Sequence, residues 1–278
     1  MIKKANRIQF DINESIGALS PNMFGANLEH IGEAIYKNGV WAEVIKNRKF
    51  CGVDKFTWET GVKHDHLDFG IIQPWKGFNP SAKHVMYAHS NSEYIVKGDE
   101  QINRFGSSKQ SQQITIREKS EKNRGIKQSI NVNFVNEAHQ FSIMLKGTGQ
   151  KVYIQIGELN FVIKSRSKWF EFKKNIKFND LKIKKTLSIS INSDELFIAN
   201  CSLKPNNTNF GFRKDITKLI KEWVPSYLRW PGGNYLSGYN WINGIGDKNY
   251  RLPFYDYAWY EWENNDVGTD EFMQWCEY

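Results

Sequence analysis

Cysteine is scarce in this chain of 278 residues: Cys51, Cys201 and Cys276 stand far apart and are odd in number. That excludes a disulfide framework and leaves no zinc-type spacing, so all three are expected to be buried small hydrophobes. Histidine is thin as well. The HDH run at 64–66 is expected to be a solvent-facing loop, and neither a metal nor an organic cofactor is expected. No apolar run is long enough to cross a bilayer, which excludes a membrane-spanning helix. The opening MIKKANRIQFDINESIG follows its charges with no apolar segment, so it is no secretory signal, and a reducing, cytoplasmic setting is expected. Acidic residues are outnumbered, 30 against 38 Lys and Arg, for a net charge of +8. A nucleic-acid partner is nonetheless not expected. The lysines are spread along the chain, and the densest run (173–185) alternates with Ile, Phe and Leu like the solvated face of a strand.

Aromatic residues are abundant, 14% of the chain with ten Trp, and suit either a core or flat platforms for sugar rings. Four stretches with different patterns follow one another. Residues 1–54 are expected to hold an N-terminal strand (RIQFDI, 7–12) and a first βα unit. In that unit 23–28 is strand-like, Glu29 and His30 form its polar exit, and Trp41, Val44 and Ile45 recur at helical spacing over 40–48. Residues 55–92 break into aromatics, Gly and Pro and are expected to be connecting loops with short strands. Residues 93–205 consist of short alternating runs: EYIVKG, QQITIRE, SINVNFVNE, QFSIMLKG, KVYIQIGE, NFVIKS, KWFEFKK, TLSISIN and ELFIAN. Strands at this spacing predict a β-sandwich or jelly roll. Its aromatics Tyr153, Trp169, Phe170 and Phe172 are expected mainly in the core, and its default role is scaffolding.

Residues 206–278 are expected to form a second βα unit. DITKLIKEWV (215–224) places Ile216, Leu219, Ile220 and Trp223 at helical spacing, with Asp215 positioned to cap the helix and Pro225 to end it. SYLRW is then a strand. VGTDEFMQWCEY opens a last helix, capped by Thr269, that turns Phe272, Met273 and Cys276 inward. Helix, strand, loop, helix is the repeat of an α/β barrel, where the chemistry sits on loops after the strands. The fold class is therefore α+β and multi-domain: an incomplete (β/α)8 TIM barrel, its first two βα units, interrupted by a β-sandwich insert.

The loop after SYLRW is PGGNYLSGYNWINGIG. Gly232 and Gly233 let the backbone turn sharply and approach a ligand closely, and Asn234 offers both a donor and an acceptor. Three blocks, FGANLEHIG with WAEVIKNRKF, DITKLIKEWVPSYLRWPGGNYLSGYNWINGIG, and ENNDVGTDEFMQWCEY, resemble in the same order family 51 of the glycoside hydrolases, the α-L-arabinofuranosidases. The resemblance implies that Glu29, Arg229 and Asn234 bind the sugar, and that Tyr239 and Trp241 offer the pocket an apolar wall. It implies a retaining enzyme acting on terminal arabinofuranosyl groups of plant-type oligosaccharides. The β-rich middle looks like a carbohydrate-binding-module-like insert.

Departures accompany the match. Asn243 stands where members often carry Asp, and Ala26 and Asn27 replace His and Phe. Retaining glycosidases need two carboxyl groups about 5–5.5 Å apart, and the family takes them from its fourth and seventh barrel strands, which have no counterpart here. The chain is therefore expected to be a truncated or split form, inactive alone and without catalytic residues of its own. A missing C-terminal half or a homo-oligomer would complete it, and its expected partner is an arabinose-containing oligosaccharide. The alternative is a non-catalytic carbohydrate-binding protein. His30 is expected to be a hydrogen-bonded core residue and no metal ligand. Asp270 and Glu271 fit the first turn of a helix, and Glu261 and Glu263 a polar surface between aromatics.

Overall fold

The computed structural model describes residues 11–15, 17–52, 66–91 and 109–278. Most of the expected RIQFDI strand, the whole of EYIVKG and the start of the HDH run lie outside the described residues.

Chain order begins with β1 (Ala26–Asn27) and the single-turn α1 (Gly32–Ile35). The sandwich follows: β2 (Lys76–Phe78), β3 (Val85–Asn91), β4 (Lys109–Ile116), β5 (Arg124–Asn131), β6 (Ala138–Gly147), β7 (Lys151–Ile156), β8 (Leu159–Lys164), β9 (Phe170–Lys177), β10 (Lys184–Ile191) and β11 (Glu195–Pro205). One sheet has the order β2-β5-β10-β7-β8 and the other β3-β4-β11-β6-β9, with antiparallel pairing throughout. The period of two explains the core. Ile126 and Ile130, Val152, Ile154 and Ile156, and Leu187, Ile189 and Ile191 project inward from the first sheet. Phe141, Ile143, Leu145, Leu196 and Ile198 meet them from the second. The short strands foreseen within 55–92 are β2 and β3, and they extend the sandwich rather than merely connect to it.

The segment 40–48 is not a helix. Its backbone bonds run outward to the sandwich: Val44 N–H donates to Leu203 O (3.0 Å), Cys201 N–H to Arg48 O (2.9 Å), and Lys46 N–H to Gln128 Oε1 (2.8 Å). The buried Glu43 carboxylate accepts from Ile45 and Leu203 N–H and from Ser202 Oγ. Trp41, Val44 and Ile45 are spaced for a helix, but these long-range partners hold the segment as an extended strap, and Ile45 and Phe50 join the sandwich core.

Beyond the sandwich come the β12 (Thr208–Asn209) and β13 (Phe212–Arg213) hairpin, α2 (Lys214–Trp223), β14 (Leu228–Arg229), the β15 (Phe254–Asp256) and β16 (Glu261–Glu263) hairpin, and α3 (Thr269–Glu277). A second, smaller core joins them: Ile35, Val40, Trp41, Phe212, Val267, Phe272 and Trp275. Phe212 stacks on Trp275 (4.3 Å) and Phe272 on Trp230 (5.0 Å), while Trp275 Nε1 donates to Thr217 Oγ1 (2.8 Å), tying α3 to α2.

Both helix caps differ from expectation. α2 begins at Lys214 behind Arg213, and Asp215 sits in its first turn, paired with the Arg213 guanidinium (2.6 and 3.1 Å). Its Ile216 and Ile220 pack inward, whereas Leu219 and Trp223 are exposed. α3 is preceded by Gly268, whose N–H donates back to Glu271 (3.0 Å). Phe272 and Trp275, three residues apart, face the core, so Met273 and Cys276 point to solvent. Cys276 is thus an exposed thiol. Cys51 and Cys201 are buried as expected, and burial pushes the Cys51 thiol up to about 12.

Candidate functional site

β1 and β14 are parallel, with Ala26 opposite Leu228 and Asn27 opposite Arg229. The ladder extends past both labelled strands: Ala26 N–H donates to Tyr227 O (3.0 Å), Leu28 N–H to Arg229 O (2.9 Å) and His30 N–H to Pro231 O (2.8 Å). Alternation then sorts the side chains. Leu28, Leu228 and Trp230 pack on the smaller core. Asn27, Glu29 and Arg229 share the other face, where Arg229 Nη1 donates to Asn27 Oδ1 (3.3 Å).

Both strands end at the same edge, so Glu29 meets the glycine corner. Asn234 N–H donates to Glu29 Oε1 (2.8 Å), and the exposed Trp259 donates to the same oxygen through Nε1 (3.3 Å). Among the described residues no donor meets Oε2. The two glycines are required here. Gly232 and Gly233 have φ of +63° and +48°, a region that favours glycine. A Cβ on Gly233 would fall 1.9 Å from the Glu29 carboxylate, and one on Gly232 2.4 Å from Asn27 Oδ1.

Glu29, Arg229 and Asn234 are therefore gathered at one corner. Tyr239 is set behind it, edge-on to Trp230 (5.5 Å) and tilted against Tyr235 (5.3 Å). Trp241 is exposed at the start of a 3-10 turn whose preceding Asn240 accepts from Ile242 N–H (3.2 Å). Asn27, a departure from the family pattern, takes part through Arg229. Trp259 was not singled out in the sequence, because thirty residues of loop and hairpin separate it from Arg229.

Below the corner lies a buried polar layer. His30 is 1% exposed and stacks on Tyr235 (4.5 Å). The indole N–H of Trp230 donates to its Nδ1 (3.2 Å), so the ring proton sits on Nε2 and is donated to Glu263 Oε2 (2.8 Å). Glu263 also accepts from Tyr36 Oη and from Asn265 N–H (2.6 Å). Burial, then the nearby Glu263 charge, pushes the Tyr36 hydroxyl well above its ordinary range. Glu263 is thus a buried anchor for His30, not the surface residue expected. Its neighbour Glu261 accepts from Gly32 N–H and Lys37 Nζ (2.6 Å each).

Deeper still, Arg48 grips Asp266 with two bonds of 2.5 Å, both residues being at most 2% exposed. Burial alone would raise the Asp266 carboxyl, but the Arg48 and Lys49 charges hold it down to about 2. Burial lowers the Lys49 ammonium to about 8, and it donates to the carbonyls of Arg251 (3.1 Å) and Asn264 (2.5 Å). Arg251 in turn forms a bidentate pair with Glu271 (2.7 and 2.9 Å). The strap and the C-terminal segment are joined by these charges.

No group of three or more His, Cys, Asp or Glu is placed to hold a metal among the described residues, and no helix among them is long and apolar enough to cross a membrane. The corner offers a carboxylate, a guanidinium and an amide at the mouth of a sharply turned backbone. That is a hydrogen-bonding set for hydroxyl groups.

Residues 219–278 match the model of the α-L-arabinofuranosidase 1 domain. The intracellular exo-α-(1→5)-L-arabinofuranosidase 1 of Bacillus subtilis (strain 168) is 48% identical over 73 residues, 26% of this chain and 15% of its own length. Alpha-L-arabinofuranosidase C of Emericella nidulans is 42% identical over 73 residues, 26% of this chain and 14% of its own. The match thus spans 14–15% of these relatives, and over this C-terminal stretch the chain is arabinofuranosidase-like. Among solved structures, that of TmCBM61 with β-1,4-galactotriose aligns with 54% of this chain and 100% of its own, at 14% identity and a TM-score of 0.34. The family 11 carbohydrate-binding module from Clostridium thermocellum, in complex with a mixed-linked tetrasaccharide, covers 50% and 92%, at 12% and 0.33.

Proposed function

We propose that this chain carries the sugar-gripping part of a retaining α-L-arabinofuranosidase that acts on terminal arabinofuranosyl groups of plant-type oligosaccharides. The observation that carries the reading is the bond from Asn234 N–H to Glu29 Oε1 (2.8 Å) across the parallel β1–β14 pair. It holds one carboxylate oxygen at the glycine corner and leaves the other for a ligand. In the proposed complex Glu29 Oε2 accepts from ring hydroxyls, Arg229 donates to a hydroxyl oxygen, and the Asn234 amide does both. Trp259 fixes the Glu29 carboxylate from the other side and presents an apolar face to the sugar. Tyr239 supports the corner from behind, and Trp241 belongs to its outer wall.

In this reading β1 with α1 and β14 with the elements after it are the first two units of a (β/α)8 barrel, the corner lying at the C-terminal ends of their strands. The barrel segments are residues 1–54 and 206–278, with the sandwich inserted between them. The resemblance assigns acid/base and nucleophile to glutamates on later strands, which have no counterpart among these 278 residues. The polypeptide as given therefore binds arabinofuranosyl groups in the cytoplasm without hydrolysing them. Calorimetric titration with an arabinofuranosyl-capped oligosaccharide tests this: Glu29→Gln weakens binding at least tenfold, and an aryl arabinofuranoside is not turned over. Turnover that disappears with Glu29→Gln would defeat the inactive reading, and unchanged binding in that variant would defeat the site.

A further inference from the structure

β8 and β9 follow one another in the chain but are the edge strands of different sheets. Residues 165–169 carry the chain across the open side of the sandwich, and beside them the two edges bound a cleft of about 620 Å³, within the usual size of ligand sites. Its floor is Ile163, Phe170 and Phe172, half-buried and packed on the sandwich core. Phe172 is held from behind by Phe141 and Phe161 (6.3 and 6.0 Å), so the floor is fixed. The rim is charged. Lys164, Arg166 and Lys173 share the lining with a single carboxylate, Glu171, all four exposed.

Two features give this rim its meaning. Lys164 lies directly opposite Lys151 in the β7–β8 ladder, both exposed, an unfavourable like-charge pairing that a bound anion relieves. The Arg166 guanidinium rests over the Phe170 ring at 4.6 Å, a cation–π contact that orients its donors. The surplus is local as well: residues 151–185 hold ten Lys and Arg against three Asp and Glu, a net of +7 in a chain of net +8. Of these, Lys164 from one sheet and Lys173 from the other reach this edge with Arg166 between them, whereas Lys184 and Lys185 lie in the interior strand β10.

We propose that this edge cleft binds an acidic polysaccharide, a chain whose sugar rings bear carboxylates. The lysines and Arg166 meet the carboxylates, the apolar floor takes the ring faces, and Glu171 accepts hydroxyl protons. Glu171 favours a hydroxyl-bearing chain over DNA, whose backbone has no hydroxyl to donate to it. The site is separate from the corner at Glu29 and stands whether or not that corner binds arabinofuranose.

The test titrates the full chain with polygalacturonate, its fully methyl-esterified form, neutral arabinan and single-stranded DNA. Polygalacturonate is expected to bind, the ester at least tenfold more weakly. The double variant Arg166→Ala, Lys173→Ala, at two exposed positions, is expected to lose polygalacturonate binding tenfold or more with its melting temperature kept, whereas Glu29→Gln leaves that binding unchanged. Glu171→Gln separates sugar from simple polyanion, because it weakens a ligand that donates hydroxyl protons and strengthens one held by charge alone. No polygalacturonate binding, equal binding of the ester, equal or tighter binding of DNA, or strengthening by Glu171→Gln would each overturn the proposal.

Discussion

The sandwich and the corner are stabilised in opposite ways. Among the described residues the sandwich gathers twenty-six buried hydrophobic side chains into one cluster, whereas the cluster under the corner has seven. The smaller core is supplemented by the ion pairs Arg48–Asp266 and Arg251–Glu271 and by the hydrogen bond from His30 to Glu263, all largely shielded from water. Apolar packing is tolerant and non-directional. A buried ion pair is strict, since removal of one partner leaves an uncompensated charge. The sandwich therefore gives a rigid body, and the polar layer fixes the few angles on which the corner depends.

The largest effect that would sharpen this contrast is expected from Arg48→Met. Leaving Asp266 without its two guanidinium bonds, with only the Lys49 ammonium 3.5 Å away, costs about 3 kcal/mol, measured by denaturant unfolding. Hydrogen exchange localises it: amides of α3 and the β15–β16 hairpin lose protection while β5, β7 and β10 keep theirs. Uniform loss across both regions would break the comparison. Acid comes next. The Asp266 carboxyl titrates at about 2 in the folded chain against an ordinary 3.8. Its stabilisation is complete above pH 4 and lost as the pH falls through 3.8 towards 2, a loss of about 2 kcal/mol. Melts between pH 5 and 2 check this, and in Asp266→Asn that part of the slope should disappear. The smallest effect is local to the corner. Gly233→Ala forces a Cβ against the Glu29 carboxylate, so arabinofuranosyl binding should fall about tenfold with the sandwich unaffected, by calorimetry and by melting.

The sequence was legible where structure is local. Alternation in β4 and in β6 to β11 and the helical spacing of Ile216 and Ile220 are read from neighbours in the chain, and so is the glycine corner, because a positive φ leaves its mark on residue choice. The alternating run 129–137, by contrast, overlaps β5 only at its end and then turns. It was illegible where partners come from far away. Trp41, Val44 and Ile45 are spaced for a helix until Leu203 and Gln128 claim the backbone. Glu263 is one acidic residue among several until His30, 233 positions earlier, meets it. Arg48 and Lys49 resemble a basic helix end, and only the approach of Asp266 makes them a buried pair. Trp259 belongs to the corner only because a hairpin returns it to Glu29.

What remains is whether a furanose sits where these groups converge. The structure of the chain bound to an arabinofuranosyl oligosaccharide answers most directly. The expected result is the terminal ring at the glycine corner, its hydroxyls within hydrogen-bonding distance of Glu29 Oε2, Arg229 and the Asn234 side chain. A ring seated elsewhere, with Glu29 and Asn234 still bonded to each other and to nothing else, would contradict it.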